Sequence, residues 1–168
     1  MACVCWTSSS ATLLNKLRVD FYLMAAGAQG GGEAILALPP LAAAAMKAGQ
    51  RVLVVAGDGG ARKRISEALW SHRPTAFLAH GEAGGAGDAL QPILIAPDMM
   101  AEAPNGARIV LLADGQWREV GEGFDRALLL FGEATRGAAR SVWSMLGQRE
   151  GVERHFHEFV EGRWVARG

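Results

Sequence analysis

Arg51-Val52-Leu53-Val54-Val55-Ala56 runs apolar without alternation, and this one segment narrows the possible folds more than any other. A strand with one wet face alternates apolar and polar side chains. A strand apolar at consecutive positions needs cover on both faces, as in the interior of a parallel sheet. Parallel neighbours require long crossovers, usually helical, and the flanking sequence supplies helical patterns. Glu33 to Ala48 places Ala, Leu, Ile and Met at helical spacing, with Gly49 as its stop and a Pro39-Pro40 pair that has to kink it, break it or start a second helix. Ala61 to Trp70 reads as the next helix, and Val19 to Leu23 as a first strand, followed by a flexible Gly27 to Gly32 connection that leads into the Glu33 to Ala48 helix.

The remaining chain keeps the same rhythm. Ile93-Leu94-Ile95, Ile109 to Leu112 and Ala127 to Phe131 read as strands between turn signals such as Pro104-Asn105-Gly106 and Asp114-Gly115. A helix over Ala134 to Gln148 follows, then Val152 to Val160 and Gly162 to Val165 as a terminal strand or hairpin. The expected architecture is a three-layer α/β/α sandwich with a Rossmann-like, mainly parallel sheet. At 168 residues, half of them hydrophobic, the chain is long enough for one domain with a buried core, expected over residues 19–168. Gly81 to Asp88 reads as a mobile surface loop.

Composition narrows the function. Seventeen acidic residues balance seventeen basic ones, which disfavours direct contact with nucleic-acid phosphates. Cys3 and Cys5 have no Cys or His pair nearby to complete a zinc site, and their scarcity suggests a reducing compartment. Met1 to Arg18 reads as an extension or as an unusual start. No apolar run reaches a membrane-spanning length, so the expectation is a soluble, cytoplasmic protein.

Familiar catalytic constellations do not emerge: there is no Gly-x-Ser-x-Gly elbow and no His-Glu-x-x-His helix. Gly27 to Gly32 does not keep the dinucleotide Gly-x-Gly-x-x-Gly spacing. Gly57-Asp58-Gly59-Gly60 before Arg62-Lys63-Arg64 could place a phosphate at a helix N-terminus, but it lacks the Gly-Lys-Ser/Thr cradle. A small α/β nucleotide-binding enzyme is therefore the alternative reading. His155 and His157 share a strand face but have too few companions for a metal, and His72 and His80 read as turn residues. No metal and no cofactor are expected.

Two constellations suit protein recognition. Trp70 and Phe77 flank a proline turn at Pro74; on the residues alone, core packing is the ordinary reading of such aromatics, and an interface anchor is the alternative. Arg136, Arg140 and Trp143 fall at i, i+4 and i+7 and so share one helical face. Guanidinium groups fit carboxylates and an indole edge can receive a ring, so an acidic peptide ending in an aromatic suits this face. The bland alternative is a solvated arginine stripe with Trp143 in the core.

Val19-Asp20-Phe21-Tyr22, Gly49-Gln50-Arg51-Val52-Leu53, Glu67-Ala68-Leu69-Trp70, Arg73-Pro74, Phe77-Leu78-Ala79-His80-Gly81 and Ala139-Arg140-Ser141-Val142-Trp143 occur in an order and spacing that resembles the chi subunit of bacterial DNA polymerase III. The resemblance spans about Val19 to Arg167 and is most specific from Leu69 to Gly81. It implies a non-catalytic subunit of the clamp-loader complex that links the replicase to single-stranded-DNA-binding protein and meets DNA only indirectly. By that resemblance, Arg136, Arg140 and Trp143 take the acidic C-terminal tail of single-stranded-DNA-binding protein. Trp70, Pro74 and Phe77 meet the psi subunit or a helicase. Ser144 stands where such proteins often carry a lysine, and Arg149 is the candidate replacement for that cation.

Overall fold

The structure is a computed structural model and describes residues 16–24, 32–73, 77–160 and 163–167. Its elements run β1 Leu17–Leu23, α1 Gly32–Lys47, β2 Val52–Val55, α2 Gly59–Ser71, β3 His80–Glu82, β4 Ile93–Ala96, β5 Ile109–Leu112, β6 Arg126–Phe131, α3 Arg136–Gly147, β7 Val152–Val160 and β8 Arg163–Ala166. Among the described residues they form one eight-stranded sheet, ordered β3-β4-β2-β5-β6-β1-β7-β8. Every neighbouring pair is parallel except β7 and β8, which close the sheet as an antiparallel edge. This is the expected α/β architecture.

Strand alternation feeds two separate cores. Val52 and Val54 of β2 point into a core covered by Leu38 and Ala42 of α1 and Ile65 and Leu69 of α2. Leu53 and Val55 point the other way, into a core covered by Ala139 and Leu146 of α3. The unbroken apolar run thus has its explanation in cover on both faces. The second face is only partly helical, because the crossovers 97–108 and 113–125 contain no helix. Their Ala107, Val120 and Phe124 are buried there instead, so loop side chains complete the layer.

Helix α1 is assigned without a break through Pro39 and Pro40. Ile35 and Leu38 before the second proline and Ala42 after it are all buried in the same core, so one apolar stripe pins both halves to the sheet. Gly49 stops the helix with φ +73°, and Gln50 N–H returns to the Ala45 carbonyl at 2.9 Å. Two readings need correction. Strand β1 takes in Leu17 and Arg18, which the sequence reading left in the extension. His80 opens β3 and is no turn residue, so the glycine-rich stretch after it begins as an edge strand and then turns on Asp88, which accepts from Gly84 and Gly85 N–H at 2.8 and 3.0 Å. Gly27 to Gly31, Cys3, Cys5 and Gly162 lie outside the described residues.

Arg18 belongs to β1 because of Asp20, whose carboxylate is completely buried. Alternation puts both on the α1 face. Asp20 accepts from Arg18 at 2.9 Å, from Arg126 of β6 at 2.6 Å and from His157 of β7 at 2.8 Å. Burial by itself would raise its pKa, but the hydrogen bonds from Arg18, His157 and Arg126 outweigh it and hold the carboxyl below its ordinary value. A depressed folded-state pKa adds stability above the unfolded value, lost as pH falls through the folded one. Asp20→Asn should therefore lower unfolding free energy at pH 7 by about 3 kcal/mol. Urea midpoints should also fall less steeply between neutral pH and the acid range in the variant than in the parent.

Candidate protein-docking sites

The floor of the first site comes from the side chains opposite Asp20. Phe21 of β1, Phe131 of β6 and Phe156 of β7 sit on neighbouring strands and project toward α3. Phe21 meets Phe131 edge-on at 6.4 Å between ring centroids, and Phe131 meets Phe156 at 6.5 Å. Trp143 of α3 stands edge-on to Phe21 at 5.1 Å, with the rings inclined by 72°. These rings, with Ala139, Arg136 and Arg140, enclose a cavity of about 200 Å³. Thus the helical spacing of Arg136, Arg140 and Trp143 does bring the three together. Trp143 packs on the core and at the same time lines the cavity.

The charges around the cavity differ in their commitments. Arg136 pairs with Glu133 at 3.1 Å, an exposed contact of little energetic value. Arg140 is exposed and, among the described residues, makes no hydrogen bond or ion pair. Arg149 lies beyond the helix end, pairs with Glu119 at 2.8 Å and does not line the cavity. Ser144 is exposed on α3. Sequence reasoning missed Phe21, Phe131, Phe156 and Arg154, because helical spacing says nothing about which strands lie under a helix. Arg154 places its guanidinium carbon 4.5 Å from the centroid of the Trp143 ring.

The second site corrects the ordinary reading of Trp70 and Phe77 as core. Helix α2 buries Ile65 and Leu69, and the position after Leu69 turns outward. Trp70 is 59% exposed and Phe77 70% exposed, with their rings 5.5 Å apart. His80 meets the Trp70 ring at 5.1 Å. Its own ring is fixed by Ser66 Oγ and the Leu78 carbonyl, both at 2.8 Å. An exposed, contiguous aromatic pair is the kind of surface that anchors a partner. Pro74 lies outside the described residues.

The turn after β2 holds an anion of the protein's own. Gly57 N–H donates to Asp114 at 3.0 Å, and Arg118 grips the same carboxylate through two bonds of 2.8 and 2.7 Å. Burial alone would raise the Asp114 pKa, but Arg118 and the Gly57 N–H lower it on balance. Asp58 caps α2 by accepting from Ala61 N–H at 2.6 Å, and Arg62 donates to the Ala56 and Gly57 carbonyls at 2.9 and 2.8 Å. Side-chain carboxylates thus take two of the donors that a phosphate would use at this turn, Gly57 N–H and Ala61 N–H. His157 stacks on Tyr22 at 4.5 Å and serves Asp20, as a packing histidine does. Among the described residues, no group of three His, Cys, Asp or Glu could hold a metal, and no helix is long and apolar enough to cross a membrane.

Together these features define an α/β domain of Rossmann-like build that carries an arginine-rimmed aromatic cavity on one layer and an exposed aromatic pair on the other. Residues 17–153 match the family described as DNA polymerase III chi subunit, HolC, and the chain belongs to that family. It therefore stands among the accessory subunits of DNA polymerase III. The solved structure of T4 UvsW is similar in fold, with a TM-score of 0.56 and 9% identity over 86% of this chain. The similarity takes in 42% of that longer chain. No curated protein matches.

Burial separates the two aromatic sites in stability. Trp143→Ala, which removes a ring packed on Phe21, should lower unfolding free energy by about 2 to 3 kcal/mol. Trp70→Ala should lower it by less than about 1 kcal/mol, since the ring faces water. Chemical denaturation of the two variants beside the parent checks the difference.

Proposed function

We propose that this chain is a recognition subunit of the replicase that performs no bond chemistry itself and links the clamp-loader complex to single-stranded-DNA-binding protein. The observation that carries the reading is the convergence of Arg136, Arg140 and Trp143 on one ring-floored cavity. An acidic tail is drawn by the cationic rim, its terminal carboxylate pairs with Arg140, and its last ring enters beside Trp143. Arg140 suits that role because among the described residues it has no hydrogen bond or ion pair, while Arg136 first has to loosen its contact with Glu133. The match over residues 17–153 supports the same reading, since all of the residues that line the cavity except Phe156 fall inside that span.

Trp70, Pro74 and Phe77 are proposed as the anchor of a second partner, the psi subunit or a helicase. Support comes from the exposure of Trp70 and Phe77 and from the rigid His80 beneath Trp70. DNA is reached through these partners, because the net charge is zero and Arg62 in the basic run is spent on backbone carbonyls.

A fluorescent peptide with an acidic, aromatic-ended C-terminus should bind the intact protein saturably and more weakly as salt rises. Arg140→Ala should weaken it about tenfold and flatten the salt dependence. No binding of the peptide at low salt would end the tail assignment. For the second surface, a pull-down from native lysate should yield a replication partner that is lost with Trp70→Ala and Phe77→Ala but kept with Arg140→Ala.

A further inference from the structure

Arg154 is the cation near the α3 cavity that the proposed tail contacts leave unused. Strand β7 presents it two residues before Phe156, so both project from the same sheet face toward α3. Its guanidinium lies over the Trp143 ring, 4.5 Å from the centroid, and its Nη1 donates to the backbone carbonyl of Trp143. That carbonyl is near the C-terminal end of α3, where the helix dipole favours a cation. Among the described residues Arg154 has no carboxylate partner. Its interactions are thus concentrated on one residue, Trp143, which is also a wall of the cavity.

Gly147 makes this approach possible. A Cβ at that position would fall 2.5 to 2.9 Å from three atoms of the Arg154 guanidinium. The glycine is helical and is not among those with positive φ, so its own backbone has no need of glycine. What requires the missing side chain is the space taken by Arg154. Because the obstructed group is the far end of a flexible side chain, an added methyl displaces Arg154 and leaves the backbone in place.

We infer that Arg154, admitted by the bare backbone of Gly147, is a positioning residue that clamps the Trp143 indole against Phe21 and so keeps the cavity open for a partner's terminal ring. The indole is held on one side by the edge contact with Phe21 and on another by the stacked guanidinium. Loss of the guanidinium frees the ring to rotate into the cavity it lines. The inference rests on the tail-binding reading for its effect on affinity, but the ring orientation is independent of that reading.

The test uses the intact protein with Arg154→Ala, Arg154→Lys, Gly147→Ala and the Gly147→Ala/Arg154→Ala double variant. Gly147→Ala is the decisive one, since alanine favours the helix and touches no cavity residue. Two quantities are read: the dissociation constant of the acidic, aromatic-ended peptide at two salt concentrations, and the indole N–H resonance of Trp143, assigned with Trp143→Phe. Arg154→Ala and Gly147→Ala should each weaken binding about fivefold, with the double variant no weaker than either. The salt dependence should stay that of the parent, Arg154→Lys should recover part of the affinity, and both alanine variants should move the Trp143 resonance alike. Additive losses, parental affinity in Gly147→Ala, or a flattened salt dependence in Arg154→Ala would overturn the inference, the last because it marks direct contact with the peptide. If the parent itself fails to bind the peptide, the tail reading falls. The indole resonance then still decides whether Arg154 and Gly147 set the ring, an unmoved signal counting against them.

Discussion

The buried carboxylate of Asp20 is the interaction on which the rest of the molecule depends. A charge taken out of water is tolerated only with close partners, and Asp20 finds them on three adjacent strands: Arg18 on its own, Arg126 on β6 and His157 on β7. Residues more than a hundred positions apart in sequence are thereby held in one register. Since successive strand residues face opposite sides, fixing Asp20 toward α1 fixes Phe21 toward α3. The same three strands then carry Phe21, Phe131 and Phe156, the floor of the cavity beneath Arg136, Arg140 and Trp143. Polar stitching on one face and aromatic construction on the other are two consequences of one register.

The sheet also separates the two proposed surfaces. Trp70 ends a helix whose buried residues, Ile65 and Leu69, belong to the α1 and α2 core, whereas Trp143 packs on the opposite core. A tail at α3 and a partner at Trp70 would therefore occupy different layers, and neither has to leave for the other to bind. At the strand ends between them, the Rossmann-like turn after β2 is filled internally by Asp114 and Arg118. The donor geometry that serves phosphate in other α/β proteins here joins the loop 113–125 to the end of β2.

Much of the fold was legible because it follows from local pattern. The uninterrupted apolar run of β2 implied cover on both faces, Gly49 marked the end of α1, and the i, i+4, i+7 spacing put Arg136, Arg140 and Trp143 on one helical face. The parts misread have equally physical causes. Local pattern alone favoured core for Trp70, because an aromatic beside a buried Leu69 fits an apolar stripe, and only the packing of α2 turns it outward. His80 looked like a turn residue because a three-residue edge strand has too little sequence to display a period. Arg18 looked like part of an extension because the reason for its place, Asp20, is a tertiary one.

By itself, then, the sequence determined the alternation of strands and helices, the parallel character of the sheet and the composition of the α3 face, because each depends on side-chain periodicity over a few turns or pleats. Only the tertiary structure decided which strands became neighbours, and with that the ring floor of the cavity, the triple pairing of Asp20, the capture of Arg149 by Glu119 and the stacking of Arg154 on Trp143. Those contacts join residues far apart along the chain. Their geometry is set by packing and register, which no local pattern encodes.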